Sequence, residues 1–383
     1  MAFRTLCNSI ALGLVVCLGT ASPSSAIDEV LFRRDGKERQ VSGRVVVEAQ
    51  DGGVLLQAED GVLWAIQAEE QLKHASDAKP FHPMSREEMS KRLLAELPSG
   101  FTVYSTEHYL ICYDTSKAYA VWCGSLFEQL HMTFTNFWSK KGFDLHEPEF
   151  PLVAVVFADR QSYLKHSRAE LGQATEAIIG YYALTNNRMT MYDLTGVEAQ
   201  GHASRGRTAA QINQILSQPN AARTVATVVH EATHQIAFNC GLHTRLSDCP
   251  VWFCEGIAEY FETPDLRSAK GWKGIGGVNR ARLEEFRRYC EKRPASSLET
   301  LIRDDKRFHD ASQATEAYAE AWAVTHFLLT QRRKDYVAYL RTLSKKEPLR
   351  NDSPKTRIDE FREAFGDLKQ LDADFLKFMA KFR

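Results

Sequence analysis

The stretch from Ala221 to Cys240, AARTVATVVHEATHQIAFNC, carries the pattern from which the rest of the chain can be read. Val225, Val228, Val229 and Ile236 recur at helical spacing, Asn220 stands where an N-cap belongs, and Gly241 follows where a helix usually stops. The spacing predicts one helix over 221–240. His230, Glu231 and His234 lie on it. Histidines four residues apart stand one turn above each other on a single helix face, so both imidazoles can reach one zinc ion while Glu231 leans over an adjacent water. Taken alone, the pattern also fits two histidines on a solvated face. The apolar residues around it argue instead for a helix buried at the centre of a domain.

A zinc site that does chemistry takes three protein ligands and keeps one position open. Glu255 offers the third, inside Pro250-Val251-Trp252-Phe253-Cys254-Glu255-Gly256-Ile257-Ala258-Glu259-Tyr260, whose Pro250 suits the first turn of a second helix. Glu259 falls one turn after Glu255 on the same face. We read Glu255 as the ligand and Glu259 as the acceptor of a zinc histidine's second ring proton, fixing its tautomer. The bland alternative is a solvated acidic face.

The remaining sequence bounds the setting. With 383 residues, 44% of them apolar and 10% aromatic, the chain has room for two or three domains. Its 48 basic and 49 acidic residues nearly cancel, so no field of one sign favours nucleic acid or an anionic membrane. Residues 1–26 combine Arg4, an apolar run from Ile10 to Leu18 and small residues ending in Ser24, Ser25 and Ala26, the build of a secretory signal removed after Ala26. The apolar run is shorter than the ~20 residues of a spanning helix, so no stable membrane insertion is expected, a retained anchor being the alternative. Export to the periplasm or out of the cell is the expected localisation. It leaves Cys112, Cys123, Cys240, Cys249, Cys254 and Cys290 in an oxidising compartment. Cys240 with Cys249 or Cys254 would close a short loop beside the proposed site; buried free thiols are the alternative.

The fold class expected is α+β. Arg44 to Ala49, Val54 to Ala58 and Val62 to Gln67, separated by Asp51-Gly52-Gly53 and Asp60-Gly61, read as hairpin strands of a small β module over 27–73. Pro80 and Pro83 mark 74–99 as a linker. A catalytic domain over 100–279 follows: a strand pair at Thr102 to Asp114, a helix from Ser116 to Trp138, a buried strand from Pro151 to Phe157, and a hairpin of Gly180 to Leu184 with Met189 to Tyr192. Residues 196–220 read as a long surface loop with one short helix at most. Helices at 280–292, 297–304, 315–331, 335–344 and 354–382 make 280–383 a helical C-terminal subdomain.

These motifs resemble a known clan. His230-Glu231-x-x-His234 followed by Glu255-Gly256-x-Ala258 looks like the gluzincin zinc metallopeptidases and, more closely, the bacterial secreted proteins with a peptidase MA-like domain, from about Gly100 to the C-terminus. The resemblance implies a zincin-like catalytic domain, a mixed sheet plus the HExxH helix, acting on a peptide or protein substrate with one zinc ion and Glu231 as general base. It also implies a proton donor for the oxyanion, and Tyr318, in Ala317-Tyr318-Ala319-Glu320-Ala321-Trp322, resembles that residue. Met189, Thr190, Met191 and Tyr192 resemble the edge strand on which such enzymes lay an extended peptide, an ordinary sheet edge being the alternative. No Gly-x-Met-Glu-Asn segment stands upstream, so the likeness to the aminopeptidase branch fails at the piece that anchors a free amine. An endopeptidase is therefore the expectation. A secreted binding or scaffold protein that keeps its zinc, and a hydrolase of non-peptide bonds, are the competing classes. Of the other histidines, His243 reads as a chance neighbour or a site-edge group, His326 as a packed residue, and His108, His131 and His166 as structural.

Overall fold

A computed structural model of the chain describes residues 26–195, 208–216, 221–262 and 275–382. The expected signal segment, Asn220 and most of the expected loop over 196–220 lie outside the described residues. The chain forms two compact units, one comprising 26–120 and 148–193, the other 121–147, 194–195 and the described residues from 208 onward.

The first unit is α+β, built on two sheets. Strands β1 (Ala26–Arg34), β2 (Lys37–Glu48), β3 (Val54–Ala58), β4 (Leu63–Ile66) and β5 (Gln71–Pro80) form an antiparallel sheet in the order β4-β3-β2-β1-β5. Asp35 and Gly36 join β1 to β2 with φ of 53° and 72°, the positive pair that a two-residue type I′ turn requires. The linker expected over 74–99 is corrected here. It begins inside β5 and contains helix α1 (Arg86–Glu96). β5 escaped notice because it is a polar, largely exposed edge strand without apolar alternation. α1 opens on a capping box in which Ser85 and Glu88 satisfy each other's backbone N–H groups, a signal present in the sequence but short on apolar residues.

The second sheet contains β6 (Thr102–Ser105), β7 (Tyr109–Tyr113), β8 (Leu152–Phe157), β9 (Gly180–Ala183) and β10 (Arg188–Tyr192), in the order β6-β7-β8-β10-β9. β8 runs parallel to both β7 and β10, while β6 and β9 are antiparallel to their neighbours. The uninterrupted apolar run Leu-Val-Ala-Val-Val-Phe of β8 suits this central place, where both faces are buried. Helix α3 (Arg160–Leu171), absent from the sequence reading, packs on β8 and β10, and α1 packs on β6 and β7. Met89 and Leu93 of α1 share a core with Leu110, Val153, Val155 and Tyr163.

This topology corrects the proposed peptide-binding strand. Met189, Thr190, Met191 and Tyr192 belong to β10, which pairs with β8 on one side and with β9 on the other. Its backbone groups are already taken, and Met189, Thr190 and Met191 are buried. The edge is β9 instead; a hairpin's second strand is as often interior as outer, and only the parallel pairing to β8 decides between them.

The first sheet is bound into this unit and does not stand alone as a 27–73 module. Leu63 N–H donates to Thr185 O at 2.8 Å, Asp60 pairs with Arg92 at 3.0 Å, and Arg44 bonds Glu149 at 2.8 Å. Gly61, at φ +79°, lies so close to the Phe150 ring that a Cβ there would be 3.0 Å from it.

The second unit is helical. The chain enters it within the first turns of α2 (Lys117–Ser139) and continues as α4 (Ala209–Leu216), α5 (Ala222–Asn239), α6 (Val251–Phe261), α7 (Arg280–Cys290), α8 (Ser297–Arg303), α9 (Lys306–His309), α10 (Ala314–Gln331), α11 (Arg333–Leu343), α12 (Pro354–Phe365) and α13 (Leu368–Met379). The boundary expected at 280 is therefore corrected: α7 to α13 share one unit with the histidine-bearing α5. The single helix expected over 354–382 is two, divided at Gly366, which takes φ +85°. Among the described residues no helix is long and apolar enough to cross a membrane.

All eleven residues of α6 are buried. Trp252 stacks on Tyr339 at 6.2 Å and Phe253 on Tyr336 at 5.1 Å, and Tyr336 stacks in turn on Trp138 at 6.2 Å. On another side α6 meets α10 at Gly256, where a Cβ would stand 2.2 Å from Thr325 Oγ1 and 2.8 Å from Ala321 O. Alanine gains about 1 kcal/mol over glycine in helix propensity. A methyl group in that space forces the helices apart, and overpacking of this kind costs about 1–3 kcal/mol, so the clash wins. Gly256→Ala is expected to lower the thermal midpoint, and an unchanged midpoint in a melting experiment would show that the crossing is looser than described.

Candidate metal centre

Helix α5 ends as its sequence suggests. Gly241 takes φ +85°, and the N–H groups of Leu242 and His243 both donate to Ala237 O at 3.0 Å, closing the last turn. α6 begins at Val251, with Pro250 as its N-cap just ahead of the first turn. The two helices pack against each other, which brings His230 and His234 of α5 to Glu255 of α6.

Three ligand atoms converge there. His230 Nε2 lies 3.1 Å from Glu255 Oε2 and 3.1 Å from His234 Nε2, and His234 Nε2 lies 3.7 Å from Glu255 Oε2. A tetrahedral zinc ion with bonds of about 2.0–2.1 Å holds its ligand atoms about 3.3–3.4 Å apart, so the three separations bracket the value that the ion requires. Two imidazoles and one carboxylate are also a donor set that zinc accepts. The set fits the ion in both spacing and chemistry.

Burial opposes the charged form of His230, but Glu255 and Glu262, bonded to its two ring nitrogens, outweigh it and hold the pKa well above the ordinary histidine value. Burial likewise pushes the Glu255 carboxyl up, and His230 and His234 outweigh it, holding it well below the usual carboxylate range. Glu255 is thus an ionised carboxylate whose side chain is only 1% exposed, a state that needs cationic or hydrogen-bonding partners.

The residue that orients His230 is Glu262, and the role expected of Glu259 is corrected. Glu262 Oε2 lies 3.0 Å from His230 Nδ1, and its other oxygen accepts from Asn279 Nδ2 at 2.7 Å. Asn279 is itself tied down, since its Oδ1 accepts from the Arg282 backbone N–H at the start of α7. Glu259 faces Arg282 instead, whose Nη2 lies 2.8 Å from its Oε1. Burial pushes the Glu259 carboxyl well up; Arg282 draws it back, while the charges of Glu262 and Glu255 add to the rise. The sequence did contain the signal: 255, 259 and 262 share one helix face at i, i+4 and i+7. The nearer carboxylate was the simpler choice, but the second histidine nitrogen points one turn further along.

Glu231 follows His230 on α5 and is buried. Tyr318 is held on α10, a helix packed against α6, with the Arg282 guanidinium 5.6 Å from its ring centroid and Phe308 edge-on at 5.2 Å. Arg282 therefore touches both Glu259 of α6 and Tyr318. A Cys249–Cys254 disulfide joins the loop before α6 to its first turn, so neither pairing with Cys240 occurs. Cys240 lies 3.6 Å from His131 Nε2, and burial pushes its thiol up to about 12. His243 is buried, and burial together with the charge of His234 pushes it down to about 3.

Residues 224–350, which span the two candidate helices and Tyr318, match a family described as "Protein of unknown function (DUF1570)". No curated protein matches the chain.

The two acidic neighbours of Glu255 are expected to behave differently. Loss of a carboxylate that orients a metal-bound histidine typically costs 10–100-fold in metal affinity. Glu262→Ala should therefore weaken zinc binding by about that factor in a competition titration with a chromophoric chelator, whereas Glu259→Gln should leave it unchanged. The reverse order would return the orienting role to Glu259.

Proposed function

We propose that the protein is an exported zinc-dependent peptidase, acting as an endopeptidase on peptide or protein substrates. The observation that carries this reading is the convergence of His230 Nε2, His234 Nε2 and Glu255 Oε2 at 3.1–3.7 Å, with Glu231 beside His230 on the same helix. Export is inferred from the composition of the first 26 residues, and cleavage within a chain from the lack of the amine-anchoring segment.

Zinc bound at such a site lowers the pKa of water towards ~7 and polarises a carbonyl. Glu231 is assigned the proton: it accepts one from the attacking water and returns it to the leaving nitrogen, so one carboxylate serves as base and then acid. His230 is kept in its ligating tautomer by Glu262, because a nitrogen whose proton is committed to a carboxylate leaves the other lone pair free. Tyr318 is assigned the stabilisation of the developing oxyanion, a role that touches the transition state more than the bound substrate.

The test is cleavage of a mixed peptide library by the purified protein, read by mass spectrometry. Internal cuts are expected, and they should vanish with a chelator. Glu231→Gln should retain zinc and lose at least 100-fold in turnover, the lower range for a general base. Glu255→Ala should lose the zinc, and Tyr318→Phe should lower kcat with zinc content unchanged. Full activity in Glu231→Gln would overturn the mechanism. A wild-type protein that binds zinc stoichiometrically yet cuts nothing would favour a binding protein that keeps its metal.

A further inference from the structure

We propose that His243, Cys249 and Cys254 form a second metal site, open to a zinc-type ion when the Cys249–Cys254 bond is reduced and closed when that bond is made. One ligand atom from each of the three residues lies within 4.8 Å of the other two, and His243 Nδ1 is 3.7 Å from Cys249 Sγ. Two thiolates and an imidazole are soft to borderline donors, the set that zinc and copper(I) prefer over the oxygen ligands of calcium or magnesium.

The three donors sit on supports that do not depend on the ion. His243 is fixed by the closing turn of α5, where its backbone N–H bonds Ala237 O, and its ring packs against Phe238 at 5.1 Å and Phe253 at 5.7 Å. Cys249 lies in the loop, its N–H bonded to Ser247 O at 2.8 Å, and Cys254 lies in the first turn of α6. The imidazole is 4% exposed and Cys254 is 1% exposed, while Cys249 is half-buried, so an ion held there would be screened from water on two of its three sides. None of the three is shared with the His230–His234–Glu255 set, although Cys254 directly precedes Glu255.

The two states exclude each other because a thiolate, and not a disulfide sulfur, is the ligand. Opening the site requires two electrons and two protons, supplied for example by a dithiol reductant. The Cys249–Cys254 bond breaks, two thiols form, and the dithiol becomes a disulfide. An incoming ion then displaces both thiol protons to solvent, while neutral His243 gives its lone pair.

This proposal does not depend on peptidase activity, and its test can be read without it. Cadmium is added to the purified full-length chain, and the sulfur-to-metal charge-transfer absorbance is recorded before and after reduction by a phosphine, which with one water becomes its oxide. The oxidised chain should show no such band, and the reduced chain should gain it together with one further equivalent of metal. Cys249→Ser/Cys254→Ser should lack the band in both conditions, and His230→Ala/His234→Ala should keep it after reduction. A reduced wild-type chain that remains folded by circular dichroism but gains neither band nor ion would overturn the proposal. So would loss of the band in the His230→Ala/His234→Ala protein, which would show that the thiolates hold no ion independently of the first site.

Discussion

Glu255 and Gly256 are neighbours in the chain with opposite demands, and α6 satisfies both at once. Glu255 is an ionised carboxylate almost without solvent, tolerable only while two imidazoles of α5 stand within 3.1–3.7 Å. Gly256 leaves out a side chain so that α10 can approach where Thr325 and Ala321 stand. About 100° of helix rotation separates consecutive residues, so one helix turns its charge to α5 and its bare backbone to α10. The aromatic stacks from Trp252 and Phe253 hold α6 from the direction of α11.

The acidic face of α6 shows how such a charge cluster is kept. Three carboxylates occupy successive turns: Glu255 faces the Nε2 atoms of His230 and His234, Glu259 faces Arg282, and Glu262 faces His230 Nδ1 and Asn279. Exposure grades along the row, from 0–1% at Glu259 and Glu255 to 15% at Glu262, with His230 at 13% and His234 at 2%. His230 and Glu262 therefore form the more exposed end of the set, and His234 and Glu255 its buried end. That asymmetry suits a site with one open position.

The helices of the site could be read from sequence because their signals are local. Gly241 marked the end of α5, Glu255 stood inside an apolar segment, and the i, i+4 histidines needed no tertiary knowledge to be paired. What escaped the reading depends on contacts between distant residues. Whether β10 lies inside the sheet follows from its pairing with β8, some 35 residues earlier, which no alternation of side chains reveals. The choice between Glu259 and Glu262 depends on where His230 Nδ1 points, on Arg282 of α7 and on Asn279, which caps that helix. β5 and α1 leave little trace in the sequence for a different reason: both are polar, and apolar periodicity is a weak guide where little is buried.

The bonds between the first sheet and the rest of its unit bear on how the protein could mature. An inhibitory leader in a secreted hydrolase is a piece that can leave without unmaking what it covered. Here Arg44, Asp60 and Leu63 are bonded to Glu149, Arg92 and Thr185, and Gly61 lies on the Phe150 ring. Excision of the amino-terminal strands would leave Glu149 without Arg44, cost Arg92 one of its two carboxylate partners, bare the Phe150 ring, and leave Thr185 O without its donor. The first sheet is therefore integrated into its unit, and its removal would cost that unit buried and charged contacts rather than release an independent module.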